Sequence, residues 1–177
     1  MLSHLDQKLQ HEQLDYGLNL FTELIPQVNS SSNLNYKNYH GETLFMEICA
    51  LGYTKLVEKL LLMNNSIINE INCNGENALF YAVEYADNIQ IIDLLLESKI
   101  NVNILTNNGY SIIHKIIQIG HSSNLEYLLI TQLNIIDINR VDQFGKSYLM
   151  YACEYSNLEI INILLQSGVN ITLRDNN

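Results

Sequence analysis

The sequence predicts an all-α fold: a solenoid of short antiparallel helix pairs, stacked in tandem, with loops projecting from one edge. Three observations carry that prediction. Glycines recur at Gly41, Gly75, Gly109 and Gly145, separated by 34, 34 and 36 residues, and near-constant spacing of this order marks a repeat array. Each glycine is followed by two apolar stripes at helical spacing. Pro26 is the single proline among 177 residues, while Leu and Ile are frequent, which favours helices over a linker-rich chain.

The first helix of each unit opens on Thr43, Asn77, Ser111 or Ser147, two positions after the glycine. These side-chain oxygens can accept from the free N–H groups of a first helical turn. The stripes that follow are Leu44/Phe45/Ile48/Cys49, Ala78/Leu79/Ala82/Val83, Ile112/Ile113/Ile116/Ile117 and Tyr148/Leu149/Ala152/Cys153. Such spacing covers one face of a helix and does not alternate as a strand does. A break comes at Gly52, Asp87-Asn88, Gly120 or Ser156-Asn157.

The second helix carries Leu56/Val57/Leu60/Leu61, Ile91/Ile92/Leu95/Leu96, Asn124/Leu125/Leu128/Leu129 or Ile160/Ile161/Leu164/Leu165. The second of these sets is displaced by one residue, which puts an insertion near Asp87. An aliphatic-Asn pair lies seven and six residues before each glycine: Leu34-Asn35, Ile68-Asn69, Val102-Asn103 and Ile138-Asn139. Length varies between the second helix and this pair, as surface loops allow. The longest insertion, around Thr131 to Asp137, is expected to bulge or move.

The order G-x-T/S, apolar helix, break, apolar helix ending LL, then V/I-N and D/N-x-x-G resembles the ankyrin repeat. It is clearest in GETLFMEICALGYTKLVEKLLL, GENALFYAVEYADNIQIIDLLLES and GKSYLMYACEYSNLEIINILLQSGVNI. The usual TPLH run reads TLFM, NALF, SIIH and SYLM, and the glycine after the second helix survives only at Gly168. The resemblance gives four repeats over 34–177, at about 38–71, 72–105, 106–141 and 142–174. Ile171 and Asp175 fit the start of a further repeat at 175–177, which suggests a parent chain that continues; the alternative is a natural stop that leaves the helix pair around Tyr148 to Gln166 without a neighbour. Residues 1–33, with stripes Leu5/Leu9 and Leu18/Phe21/Leu24/Ile25, read as a degenerate capping helix pair.

His114, in SIIHKII, is the polar residue most open to a chemical reading. Its slot, five residues after the glycine, holds Met46, Phe80 and Met150 in the other units. A reacting group would not tolerate Met or Phe, so His114 reads as structural. In the ankyrin family a histidine here often hydrogen-bonds neighbouring backbone.

The remaining composition argues against several functions. The formal net charge is -10, with nine Lys and Arg scattered from Lys8 to Arg174. A nonspecific nucleic-acid binder makes about 6–10 phosphate contacts, so nucleic acid and anionic membrane are disfavoured. No apolar run approaches the ~20 residues of a membrane span, and the N-terminus lacks signal-peptide order. Cys49, Cys73 and Cys153 are odd in number and widely spaced. They read as free thiols in a reducing, cytoplasmic compartment. Cys49 and Cys153 are expected to be small core residues, and Cys73 lies in a loop. His4, His11, His40 and His121 have no metal-ligand spacing, and no phosphate-binding glycine motif occurs. The expectation is no enzyme, no cofactor and no metal. The frequent Asn and Ile fit the codon bias of an AT-rich genome.

In an ankyrin-like array the loop tips and the exposed side of each first helix are free to specify a partner. Those positions hold Tyr39, His40 and Glu42; Glu76, Glu84 and Tyr85; Tyr110 and Gln118; and Phe144, Lys146, Glu154 and Tyr155. Tyrosine supplies contact area at little entropic cost and is enriched at interface hot spots. The glutamates favour a basic partner segment. The expected function is a protein-interaction module, monomeric, binding a protein through its tips and concave face. The alternative is a structural or regulatory arm of a larger, enzymatic effector. The composition also resembles that of arrays which intracellular bacteria and large viruses deliver into host cells. The resemblance further implies that Asn69, Asn103 and Asn139 match an asparagine that an animal dioxygenase can hydroxylate.

Overall fold

The computed structural model describes residues 37–63, 65–84 and 88–176 of the chain. These residues hold eight α-helices: α1 (Leu44–Ala50), α2 (Thr54–Met63), α3 (Ala78–Ala82), α4 (Ile89–Glu97), α5 (Ile112–Ile119), α6 (Ser122–Gln132), α7 (Tyr148–Glu154) and α8 (Leu158–Gln166). A 3-10 turn follows α2 at Asn65–Asn69. Extended pairing among the described residues is limited to isolated bridges of Lys37 with Thr43 and Val141 with Ser147. The expected capping pair over 1–33, the Leu34-Asn35 pair and the insertion near Asp87 lie outside the described residues.

Each first helix starts at the residue its sequence nominates. Thr43 and Ser147 accept from the N–H groups of Met46 and Met150, each at 3.3 Å. Asn77 accepts from Leu79 N–H at 3.1 Å. Such caps are worth about 1 kcal/mol each. The chain leaves α1 and α5 through Gly52 and Gly120, both in the left-handed region (φ 78° and 82°). Ser156 takes that conformation after α7 (φ 54°), and Lys99 takes it after α4 (φ 65°).

The helices form two layers. α1, α3, α5 and α7 stack in sequence, α2 meets α4, and α6 meets α8. Within each pair the two helices also touch. The apolar stripes meet between the layers, where Phe45, Leu60, Leu79, Ile91, Ile112, Ile116 and Leu164 are fully buried. A helix of five to eleven residues is marginal alone, so this burial supplies the stability that helical propensity does not.

Polar side chains fasten unit to unit. Asn88 Nδ2 donates to Cys49 O at 2.9 Å, Asn124 Nδ2 to Val83 O at 3.2 Å, and Asn157 Nδ2 to Gly120 O at 3.4 Å. Each carbonyl lies at the end of the first helix of the preceding unit, in the last turn that a helix leaves short of partners. Asn124 thus belongs in the second-helix stripe although it is polar. The asparagines are structural, whatever the codon bias behind their number.

Some expectations change. Cys49 is buried as expected, and burial pushes its thiol pKa up. Cys153 is exposed and not a core residue. Leu149 and Ile161 are half-buried and Leu165 is exposed, because no described element covers the outer face of α7 and α8. Leu44 faces outward and Met46 takes its place in the core. The Thr131 to Asp137 insertion is no free bulge. It lengthens α6 to Gln132 and then turns, with Ile136 buried and Ile135 outside.

Candidate functional site

Each loop tip is built by one side chain placed three residues before its glycine. Asn38 Oδ1 accepts from His40 and Glu42 N–H, both at 3.0 Å. Asn72 Oδ1 does the same for Asn74 and Glu76 at 2.9 Å, and Asp142 Oδ1 for Phe144 and Lys146 at 2.8 Å. Thr106 Oγ1 accepts only from Tyr110 N–H, at 3.1 Å. Burial raises the Asp142 pKa, but the hydrogen bonds from Tyr151 and from the Lys146 and Phe144 N–H groups outweigh it and hold the group below its ordinary value.

Neighbouring tips are tied by backbone bonds of 2.8 Å: Cys73 N–H to His40 O, Asn107 N–H to Asn74 O, and Asn176 N–H to Phe144 O. The same register calls for Gln143 N–H to Asn108 O, and that bond is absent among the described residues. The glycines report the same break. A Cβ on Gly41 would lie 2.8 Å from Cys73 N, and one on Gly145 2.9 Å from Asn176 Oδ1, whereas one on Gly109 would meet nothing within 4 Å. The tips of the third and fourth units therefore stand apart. A cleft of about 440 Å³ lies along the second and third tips and the first helices α5 and α7, with Glu76, Tyr110, His114, Gln118, Tyr151 and Tyr155 in its walls.

Four of the twelve candidate positions, Glu76, Tyr110, Gln118 and Tyr155, share this cleft. Tyr110 is 39% and Tyr155 50% exposed. Tyr39 (88% exposed) and Phe144 (56%) stand on other tips, and Tyr39 stacks on the exposed His40. Glu42 accepts from Asn38 Nδ2 at 2.7 Å and Tyr81 O–H at 2.8 Å, and these bonds lower its pKa. Glu76 accepts from Asn72 Nδ2 at 2.7 Å. Lys115 pairs with Glu84 at 2.8 Å, and Lys146 pairs with Glu154. Tyr85 lies outside the described residues.

His114 is 5% exposed. Its Nδ1 accepts from Ser111 N–H at 3.0 Å, closing the α5 cap. Met46 and Met150 offer sulfur to the equivalent N–H groups of Thr43 and Ser147, each at 3.5 Å. In three of the four units the slot accepts from the cap, and Phe80 fills it in the other, so the structural reading is the one the geometry supports. The neutral imidazole then carries its proton on Nε2, which is buried without a hydrogen-bond partner among the described residues. The rings of Tyr110, Tyr148 and Tyr151 surround it at centroid distances of 5.2, 4.7 and 5.1 Å. Burial depresses the His114 pKa from 6.5 to about 4, Asp142 opposing and Arg140 adding to the shift.

Two tyrosines escaped the sequence reading. Tyr81 and Tyr151 both lie six residues after a glycine, where the other units have Glu47 and Lys115. Tyr81 O–H bridges to Glu42, and Tyr151 O–H donates to Asp142 Oδ2 at 2.6 Å. Burial and then these carboxylates raise both phenol pKa values. Comparing units column by column would have found them. Asn69, Asn103 and Asn139 are exposed and link neighbouring units. Asn69 Oδ1 accepts from Asn101 N–H at 2.9 Å, Asn103 Nδ2 donates to Ile135 O at 3.2 Å, and Asn139 Oδ1 accepts from Asn170 N–H at 2.6 Å.

The chain is similar to three ankyrin repeat proteins. An ankyrin repeat protein of fowlpox virus is 34% identical over 122 residues, 66% of this chain and 35% of that protein. One of Rickettsia felis is 28% identical over 138 residues, 78% of this chain and 44% of that protein. One of Acanthamoeba polyphaga mimivirus is 22% identical over 156 residues, 85% of this chain and 20% of that protein. The chain thus spans less than half the length of each. Among the described residues no helix is long and apolar enough to cross a membrane. Ankyrin repeats are generally protein–protein interaction modules. The family model for ankyrin repeats in three copies matches residues 12–106 and 87–175, and with glycine-turn helix pairs stacked in two layers the chain belongs to the ankyrin repeat family.

Proposed function

We propose that the array holds a protein partner across its loop tips and the exposed side of its first helices. One observation carries this reading: Tyr39, Tyr110, Phe144 and Tyr155 are exposed aromatics at positions the core does not need. Glu42 and Glu76 beside the tips, and Glu84 and Glu154 near the helix ends, make a basic segment the favoured partner surface. We divide the array as the sequence does, with a cap over 1–33 and four units after it. The viral and rickettsial relatives support a role inside a host cell.

The test compares capture by the full chain with capture by Tyr110→Ala and Phe144→Ala variants, read by mass spectrometry. Truncating a hot-spot aromatic costs about 2 kcal/mol, or roughly 30-fold in affinity. A protein retained by the wild type should be lost by the variants at unchanged helical circular dichroism. Equal capture by all three would remove the proposed face.

A second reading rests on length. The chain covers 35%, 20% and 44% of the three relatives, which suits an arm that positions or restrains another domain. Activity of a parent protein with and without these residues decides between the two. We also propose Asn69, Asn103 and Asn139 as hydroxylation sites, with Asn103 first because Leu94 to Leu96 precede it. Incubation with the dioxygenase should add the mass of one oxygen to the peptide holding Asn103, and an unchanged mass refutes the assignment.

A further inference from the structure

We propose that the cleft lined by the second and third loop tips and by α5 and α7 receives one cationic side chain, Arg or Lys, from the partner's basic segment. The inference rests on the interaction reading above and names its chemical anchor. Three observations on the cleft support it.

The opening is built into the array. Residues of the second and third tips and of α5 and α7 line it, among them Asn108, whose carbonyl receives no tip-to-tip bond from Gln143 among the described residues. Its volume of about 440 Å³ falls within the range of ligand clefts.

The walls suit a cation. Tyr110, Tyr151 and Tyr155 line it with aromatic side chains, and Glu76 lines it with a carboxylate-bearing one. Cations are drawn to the electron-rich face of an aromatic ring, more strongly where water is partly excluded. The molecule already shows this preference, since Lys146 Nζ lies 5.3 Å from the Tyr151 ring centroid.

The cleft's own cation is neutralised. Lys115 lines it but is held by Glu84 at 2.8 Å, and Lys146, over the Tyr151 ring, is held by Glu154. Among the described residues the Glu76 carboxylate has only the neutral amide of Asn72, at 2.7 Å, as its hydrogen-bond partner. A chain of net charge -10 adds a long-range attraction for a positive group.

The probe is the capped tripeptide acetyl-Gly-Arg-Gly-amide, with Lys and citrulline counterparts, titrated into the full chain carrying isotope-labelled tyrosine. Arg or Lys should shift the ring signals of Tyr110 and Tyr155, and citrulline, which has the shape of Arg without its charge, should not. Tyr155→Ala and Glu76→Gln should each weaken that binding at least tenfold. Equal shifts from citrulline, shifts confined to Tyr39, or binding indifferent to both substitutions would overturn the proposal. A protein partner lost on Phe144→Ala but kept on Tyr155→Ala also overturns it, while leaving the interaction reading intact.

Discussion

His114 shows how one residue can be chosen for its acceptor and still leave a pH-dependent liability. Its Nδ1 faces the Ser111 N–H, and tyrosine rings enclose the imidazole. Protonation would charge a buried ring and turn that acceptor into a second donor. The folded pKa of about 4 lies below the ordinary 6.5, so the unfolded chain binds the proton first as pH falls. The stability tied to this group is complete above pH 6.5 and is lost between 6.5 and about 4. The loss amounts to roughly 3 kcal/mol at its limit. Met occupies this slot at Met46 and Met150 and makes the cap contact through sulfur. His114→Met should therefore fold at neutral pH and lose less stability on acidification. Urea unfolding of both proteins at pH 7 and pH 4.5 checks this, and parallel pH dependences would refute it.

At the scale of the element, helix starts were legible because a cap is a local device. Thr43, Asn77, Ser111 and Ser147 need only the next few residues to do their work. Helix ends were less legible. Ser156 and Lys99 adopt the left-handed conformation that Gly52, Gly120 and Gly168 adopt elsewhere. Their side chains gave no sign of it. A non-glycine residue there costs about 1–2 kcal/mol, offset in part by the extra unfolded freedom of glycine. Ser156→Gly and Lys99→Gly should each raise stability by about 1 kcal/mol. Thermal unfolding should show higher midpoints, and a lower midpoint for Ser156→Gly would contradict this account.

Across the whole molecule, the spacing of units decides where the array closes and where it opens. Intervals of 34 residues separate Gly41, Gly75 and Gly109, and 36 separate Gly109 from Gly145. The tip-to-tip bond is missing across the longer interval. Deleting Leu133 and Asn134, which are exposed in the turn after α6, should restore the shorter interval. We expect the Gln143 N–H to become protected from hydrogen exchange. Exchange at Gln143 as fast as in the wild type would show that the gap has another origin.

The sequence by itself determined the repeat, the helix pairs, their caps and their apolar faces. Each follows from chemistry within a turn or two of chain, copied at near-constant spacing. It could not say which copies of a stripe are covered: Cys49 and Cys153 occupy equivalent positions, yet only Cys49 is buried. Only the tertiary structure decided that, and only it drew Glu76, Tyr110, Tyr151 and Tyr155 around one cleft. Coverage and clefts depend on how units sit against each other, and that is set by contacts between residues more than thirty positions apart.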